Sequence, residues 1–144
     1  MQAYLHHIFG VTLPEAEVRA QYNATPQGSA GSLRAPPWVD QAIKTGVQKP
    51  DYAHIKAPAL AIYAVPRSAQ DLAPAWVKSI TPAMLDALEE EYALFQVTSK
   101  ERIAAFRDGV THSRVVELPG ANHFLFISNE ADVLRELQAF LAAL

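Results

Sequence analysis

Ala59-Leu60-Ala61-Ile62-Tyr63-Ala64-Val65 is a continuous apolar run that Pro66 ends. It is too short for a free-standing helix and shows no polar alternation, so it fits a strand covered on both faces. A second extended run, Arg114-Val115-Val116-Glu117-Leu118, is rich in β-branched residues and stops at Pro119-Gly120, which cannot continue a strand. Between them lies the longest helical pattern in the chain. Thr81-Pro82 opens it, Gly109 follows its end near Asp108, and Met84, Leu85, Leu88, Tyr92, Phe95, Ile103 and Phe106 fall near one face. At about 1.5 Å per residue it spans roughly 40 Å, with a bend expected near Val97-Thr98-Ser99. Strand, long helix, strand in this order is a βαβ unit, so the spacing predicts an α/β fold with two parallel strands, 59–65 and 114–118.

Composition narrows the functions such a fold can serve. The chain has 144 residues, a single-domain length with enough apolar material for a modest core. Half of the residues are hydrophobic and 19% are charged, a balance that separates the chain from disordered and coiled-coil sequences. A formal charge of −3 offers no broad basic field for a phosphate backbone, which argues against nucleic acid as a partner. Without a cysteine there is neither thiol chemistry nor a thiolate metal site. No apolar run approaches the ~20 residues of a membrane helix, and no charged segment followed by an apolar one opens the chain. Neither membrane nor signal peptide is therefore expected, and the location predicted is cytoplasmic.

Residues 1–50 read as a helical segment set apart from 51–144. Tyr4, Leu5 and Ile8 share a helical face that stops at Gly10. The adjacent His6 and His7 point about 100° apart on a helix, which argues against joint metal ligation. Thr12-Leu13-Pro14-Glu15 has the pattern of a capping box, and Glu15 to Tyr22 continues as a second helix. Asn23 to Pro37 is loop chemistry, with two glycines and three prolines and no strand leading into it. Its Gly28-Ser29-Ala30-Gly31-Ser32 is neither a phosphate loop, since no Gly-Lys-Ser/Thr follows, nor a nucleophile elbow, since Gln27 precedes Ser29 and Arg34 follows Ser32. Pro37 to Lys44 makes one more short helix, ended by Gly46. Glu89-Glu90-Glu91 fans around the long helix as a solvated face rather than a metal site.

His123 stands on the loop just past the second strand, before Phe124-Leu125-Phe126-Ile127 and a last helix. Ser128 or Asn129 can cap that helix, Asp132 can close a capping box on Asn129, and Val133, Leu134, Leu137, Phe140, Leu141 and Leu144 form its apolar stripe. Ligands and catalytic groups gather at the carboxyl ends of strands in open α/β sheets. On position alone the plainer reading is a loop histidine packed by its aromatic neighbours. However, Gly120-Ala121-Asn122-His123-Phe124, between a strand and a C-terminal amphipathic helix, resembles the histidine segment of the α/β-hydrolase family. His54-Ile55-Lys56-Ala57-Pro58 and the run after it, to Ala64, resemble that family's penultimate strand.

The resemblance covers most of residues 50 to 144 and implies a partial α/β-hydrolase fold, with 1–50 as cap and 51–144 as the acid and histidine portion. It implies that His123 is the general base of a nucleophile-His-acid triad, last in chain order. The acid is expected at Arg67, which cannot accept a hydrogen bond from imidazole. Asp71, the only carboxylate between Val65 and Trp76, is the displaced candidate, and a loop or cap aspartate is its plainer reading. Trp38, Tyr22 and Phe124, with Tyr4 and Phe9, are candidate apolar walls for a small-molecule substrate, though each is also a core residue type. No serine, threonine or aspartate sits in a Gly-x-nucleophile-x-Gly frame, so the chain by itself is expected to be inactive, as the C-terminal part of an ester hydrolase whose nucleophile lies elsewhere. No cofactor and no metal are expected. The alternative is a non-catalytic, hydrolase-like binding module that self-associates, because two parallel strands leave 59–65 with an unpaired edge open to a homodimer.

Overall fold

The computed structural model describes residues 2–144, apart from the side chains of Gln2, Tyr4 and Ala30, so the Tyr4 wall candidate lies outside the described side chains. The chain divides into two compact units, 1–50 with 74–76 and 51–73 with 77–144.

In the first unit, helix α1 (Gln2–Phe9) stops before Gly10, and α2 covers Glu15–Gln21. Leu5, Val11, Leu13 and Val18 are buried. The capping box expected at Thr12 does not form: Pro14 occupies the N-cap of α2 without a side-chain cap, and the Thr12 hydroxyl lies 3.1 Å from His6 Nδ1. Pro14 supplies a preset φ for entering the helix, which leaves the hydroxyl free for the neighbouring turn.

The supposed loop after α2 is a β-hairpin instead. Strands β1 (Tyr22–Ala24) and β2 (Ala30–Leu33) pair antiparallel. Thr25 and Ser29 close its loop: Thr25 N donates to Ser29 O at 2.9 Å and Gly28 N to Thr25 O at 2.9 Å, while Ser29 N donates to the Thr25 hydroxyl at 3.0 Å. Gly28, at φ 76°, takes the left-handed position that a three-residue hairpin loop requires, and Pro26 presets the turn before it. Helix α3 (Pro37–Gly46) follows; Gly46 is its last residue rather than the one after it, and no residue of α3 is buried.

In the second unit, β3 (Ala59–Val65), α4 (Pro82–Gly109) and β4 (Ser113–Pro119) form the expected βαβ unit, with β4 one residue longer at each end than 114–118. The strands pair in parallel, from Ala59 opposite Ser113 to Val65 opposite Pro119. Thr81 caps α4 by accepting from Met84 N at 3.3 Å, with Pro82 in the first turn. The helix is continuous through Val97-Thr98-Ser99, where the Thr98 hydroxyl donates back to Leu94 O at 3.0 Å. Leu88, Ile103, Phe106 and Val110 are buried. A single 3-10 turn at Tyr52–His54 packs on the end of α4, with the Tyr52 ring edge-on to Phe106 at 5.3 Å. A short helix α5 (Leu125–Ser128) leads to α6 (Glu130–Leu141). Asn129 holds the N-cap position of α6, but its side chain caps no backbone N–H and instead donates to the Asp132 carboxylate at 3.5 Å. Helix α6 packs against β3 and is tied to β4 by Arg114 and Glu136, 2.6 Å apart.

The protein is thus mixed α/β, with a two-stranded parallel sheet flanked by helices. All seven residues of β3 are only half-buried. Among the described residues, no helix is long and apolar enough to cross a membrane.

Two helical glycines should respond with opposite sign to the same substitution. A Cβ at Gly46 meets nothing within 4 Å, so Gly46→Ala should stabilise by about 0.5–1 kcal/mol through helix propensity. A Cβ at Gly109 lies 2.6 Å from Tyr52 Cβ, which is not the end of a flexible chain. Overpacking of about 1–3 kcal/mol outweighs the propensity gain, so Gly109→Ala should destabilise. Urea unfolding followed by circular dichroism checks both, and a stabilising Gly109→Ala would contradict the close seating of Tyr52 on α4.

Candidate functional site

Parallel pairing brings the last residues of β3 and β4 to one rim. There Gly120 adopts φ 73°, open to glycine at little cost, and its N–H donates to Val65 O at 2.7 Å, so the turn after β4 is stitched to the end of β3. Ala121 N donates to Leu118 O at 3.3 Å and Phe124 N to Asn122 Oδ1 at 2.9 Å, the second a local turn bond of the kind asparagine favours. Between these two anchors His123 is exposed. Its ring lies edge-on to Phe124 at 5.1 Å, and Phe124 in turn lies edge-on to Phe126 at 6.3 Å. Among the described residues no hydrogen bond reaches the imidazole nitrogens. A neutral imidazole so presented can accept a proton at one nitrogen and donate from the other.

Asp71 lies on a 3-10 turn, Ala69–Leu72, after β3. Its Oδ2 accepts from Arg67 N at 2.8 Å and Arg67 Nε at 3.0 Å, and its Oδ1 from Arg67 Nη2 at 3.4 Å. The side-chain hydrogen bond from Arg67, then the backbone one, hold the Asp71 carboxyl below the usual aspartate range. Tyr92 of α4 donates its hydroxyl to Arg67 O at 3.1 Å. Arg67 also reaches the histidine turn, since a Cβ added to Gly120 would lie 2.5 Å from its Nε and 2.7 Å from its Cζ.

The structure therefore brings Asp71, Arg67 and Gly120 together, with His123 three residues further along, and shows no hydrogen bond between Asp71 and His123 among the described residues. Phe124 is half-buried beside His123. Tyr22 is half-buried on β1 and Trp38 is 68% exposed on α3, both in the first unit, as is the half-buried Phe9. Glu89, Glu90 and Glu91 are all exposed, and no group of His, Asp or Glu among the described residues could hold a metal ion.

Sequence reasoning treated Arg67 only as a failed acid, although its spacing of four from Asp71 is that of an ion pair along a turn. It also passed over His54, whose Nδ1 lies 2.9 Å from Asp51 Oδ2 on an exposed turn before β3. A shallow cavity of about 290 Å³, lined by Pro58, His112, Arg114, Phe140 and Leu144 among others, opens at the starts of the strands. Six steps along the seven-residue strands, about 20 Å, separate that end from the His123 rim. Comparison with protein families, with curated proteins and with solved structures gives no match for this chain.

The Asp71 bonds have a pH signature. A carboxyl whose folded value is depressed stabilises fully above its unfolded value, about pH 4, and that contribution is lost as pH falls through the folded value. Asp71→Asn should therefore lower the Tm at about pH 6, and the difference from the wild type should shrink as pH falls below the usual aspartate range. Melting curves that keep a constant separation across this window would show that the Asp71 charge does not supply the stabilisation.

Proposed function

We propose that the chain carries the histidine-bearing part of an α/β-hydrolase-fold site, in which His123 is the general base toward a nucleophile supplied from outside these 144 residues. The observation that supports this most is the placement of an exposed histidine on the loop just past the C-terminal end of a parallel strand, where open α/β sheets collect their reactive groups. In that role the imidazole takes the proton of the nucleophile's hydroxyl as it attacks an ester carbonyl. The protonated ring then gives that proton to the leaving alcohol, and in the second half it takes a proton from the water that attacks the acyl group and returns it to the nucleophile's oxygen as the acid departs. Ester or related small-molecule hydrolysis is the reaction class, and no cofactor is part of it. As the acid, Asp71 would accept from the imidazole with a carboxylate that now accepts three hydrogen bonds from Arg67.

One observation favours a second reading, a non-catalytic module that self-associates. The sheet has only two strands, each with an unpaired edge among the described residues, and its faces are half-covered, which parallel sheets rarely tolerate. A second copy adding a strand would satisfy those backbone groups as well as a nucleophile-bearing segment would.

Co-expression with the strand-turn-helix half of an ester hydrolase of this fold, bearing a Gly-x-Ser-x-Gly elbow, separates the two. Turnover of p-nitrophenyl butyrate should arise only with both pieces, and His123→Ala should lower kcat by about 10²–10⁴-fold, the usual contribution of a general base. Turnover indifferent to His123→Ala would sink the hydrolase reading, and a stable inactive dimer on size-exclusion chromatography would favour the module.

A further inference from the structure

We propose that Arg67 is a positioning residue for His123, acting through Gly120: its guanidinium, tethered by Asp71 and seated against the Gly120 α-carbon, fixes the turn from which the histidine loop departs.

An arginine that is 67% exposed ordinarily samples many rotamers and contributes little. Arg67 is restrained differently. One carboxylate accepts from its backbone N–H, its Nε and its Nη2, which sets the guanidinium plane relative to the residue's own backbone. Its carbonyl accepts from Tyr92, which anchors that backbone to α4. Against this fixed plane lies Gly120, whose missing side chain is what lets the approach occur, since any Cβ there would sit 2.5 Å from Nε.

The turn is thus held on two sides, by its N–H bond to Val65 O and by the guanidinium. Beyond it the imidazole lies edge-on to the Phe124 ring and takes no hydrogen bond among the described residues. A general base loses rate steeply with displacements of about 1 Å, so a histidine whose ring takes no hydrogen bond depends on the anchors of its loop, and the Gly120 turn is one of them. Arg67 holds that turn sterically. It stands where the resemblance would place an acid, and it cannot accept from imidazole. The importance of the position rests on the reading of His123 as a general base; the contact itself does not.

The test needs no turnover. In the 144-residue chain, the Gly120 amide should exchange about tenfold faster in Arg67→Ala than in the wild type, while the Val115 and Val116 amides in mid-strand keep their rates. The His123 Cε1–H resonance, assigned by its loss in His123→Gln, should shift or broaden in Arg67→Ala. Arg67→Lys should not restore it, because an ammonium cannot reproduce the planar, forked contact with Asp71. If Arg67→Ala does not fold, Asp71→Ala removes the same tether with Arg67 in place, and it should move the same two signals. An unchanged Gly120 amide and His123 resonance would overturn the proposal, as would acceleration shared by mid-strand β4, which would mean general loosening. A hydrolase assay indifferent to His123 would remove the catalytic reading and leave these signals standing, so the two failures are distinguishable.

Discussion

The parallel pairing of β3 with β4 is the constraint from which the rest follows. Two parallel strands cannot be joined by a tight turn; the chain must travel the length of the sheet and return, which α4 does with about 42 Å of helix. Because both strands run the same way, their starts share one end and their last residues the other. The bond from Gly120 N to Val65 O closes the ladder at that second end and converts the exit from β4 into a fixed turn. An antiparallel arrangement of the same two runs would have put the exit of β3 and the exit of β4 at opposite ends, leaving the Arg67 segment and the His123 loop far apart.

What covers this sheet is uneven. Burial of a leucine, valine or isoleucine side chain is worth about 1.5–3 kcal/mol, and half-burial correspondingly less, so β3 draws much of its stability from the elements packed on it. Helix α4, which packs on β4, is well buried at Leu88, Ile103 and Phe106, and the Tyr52 ring lies edge-on to Phe106 near its end. Along α6 the cover is thinner, with Leu134, Leu137 and Leu141 each more than 40% exposed. There the Arg114–Glu136 pair matters more than its count suggests. The Glu136 side chain is only 17% exposed and also lies 3.4 Å from Arg135, so it forms a small network at the strand-helix seam rather than an isolated surface pair.

The parts of the fold that the sequence revealed are those encoded by long, redundant patterns. An apolar run bounded by proline, a long periodic helix with a threonine-proline start, and a β-branched run ended by Pro119-Gly120 each repeat the same instruction several times, so the βαβ unit was legible to within a residue. Single-residue instructions were not. Pro26-Gln27-Gly28 is a hairpin turn, but its strands are three and four residues long and too short to show alternation, so composition alone read as loop. Thr12 and Asn129 are good capping residue types, yet a hydroxyl or amide has several nearby partners, and tertiary neighbours decide which it takes: His6 for Thr12, Asp132 for Asn129. For the candidate site, the location of His123 on its loop was legible, because strand and turn signals bracket it. The contact of Arg67 with Gly120 was not, since it joins residues far apart in sequence whose proximity exists only once β3 and β4 are paired.

That contact also changes how a carboxylate after β3 should be read. An aspartate four residues from an arginine, on a short turn, meets a partner whose cost in chain entropy is small, because the loop between them is already closed by the Arg67 N–H bond to Oδ2. Any bond to the imidazole would draw on a carboxylate that already accepts three hydrogen bonds from Arg67. The Asp71 charge is therefore committed to Arg67, which lies against the turn from which the His123 loop departs.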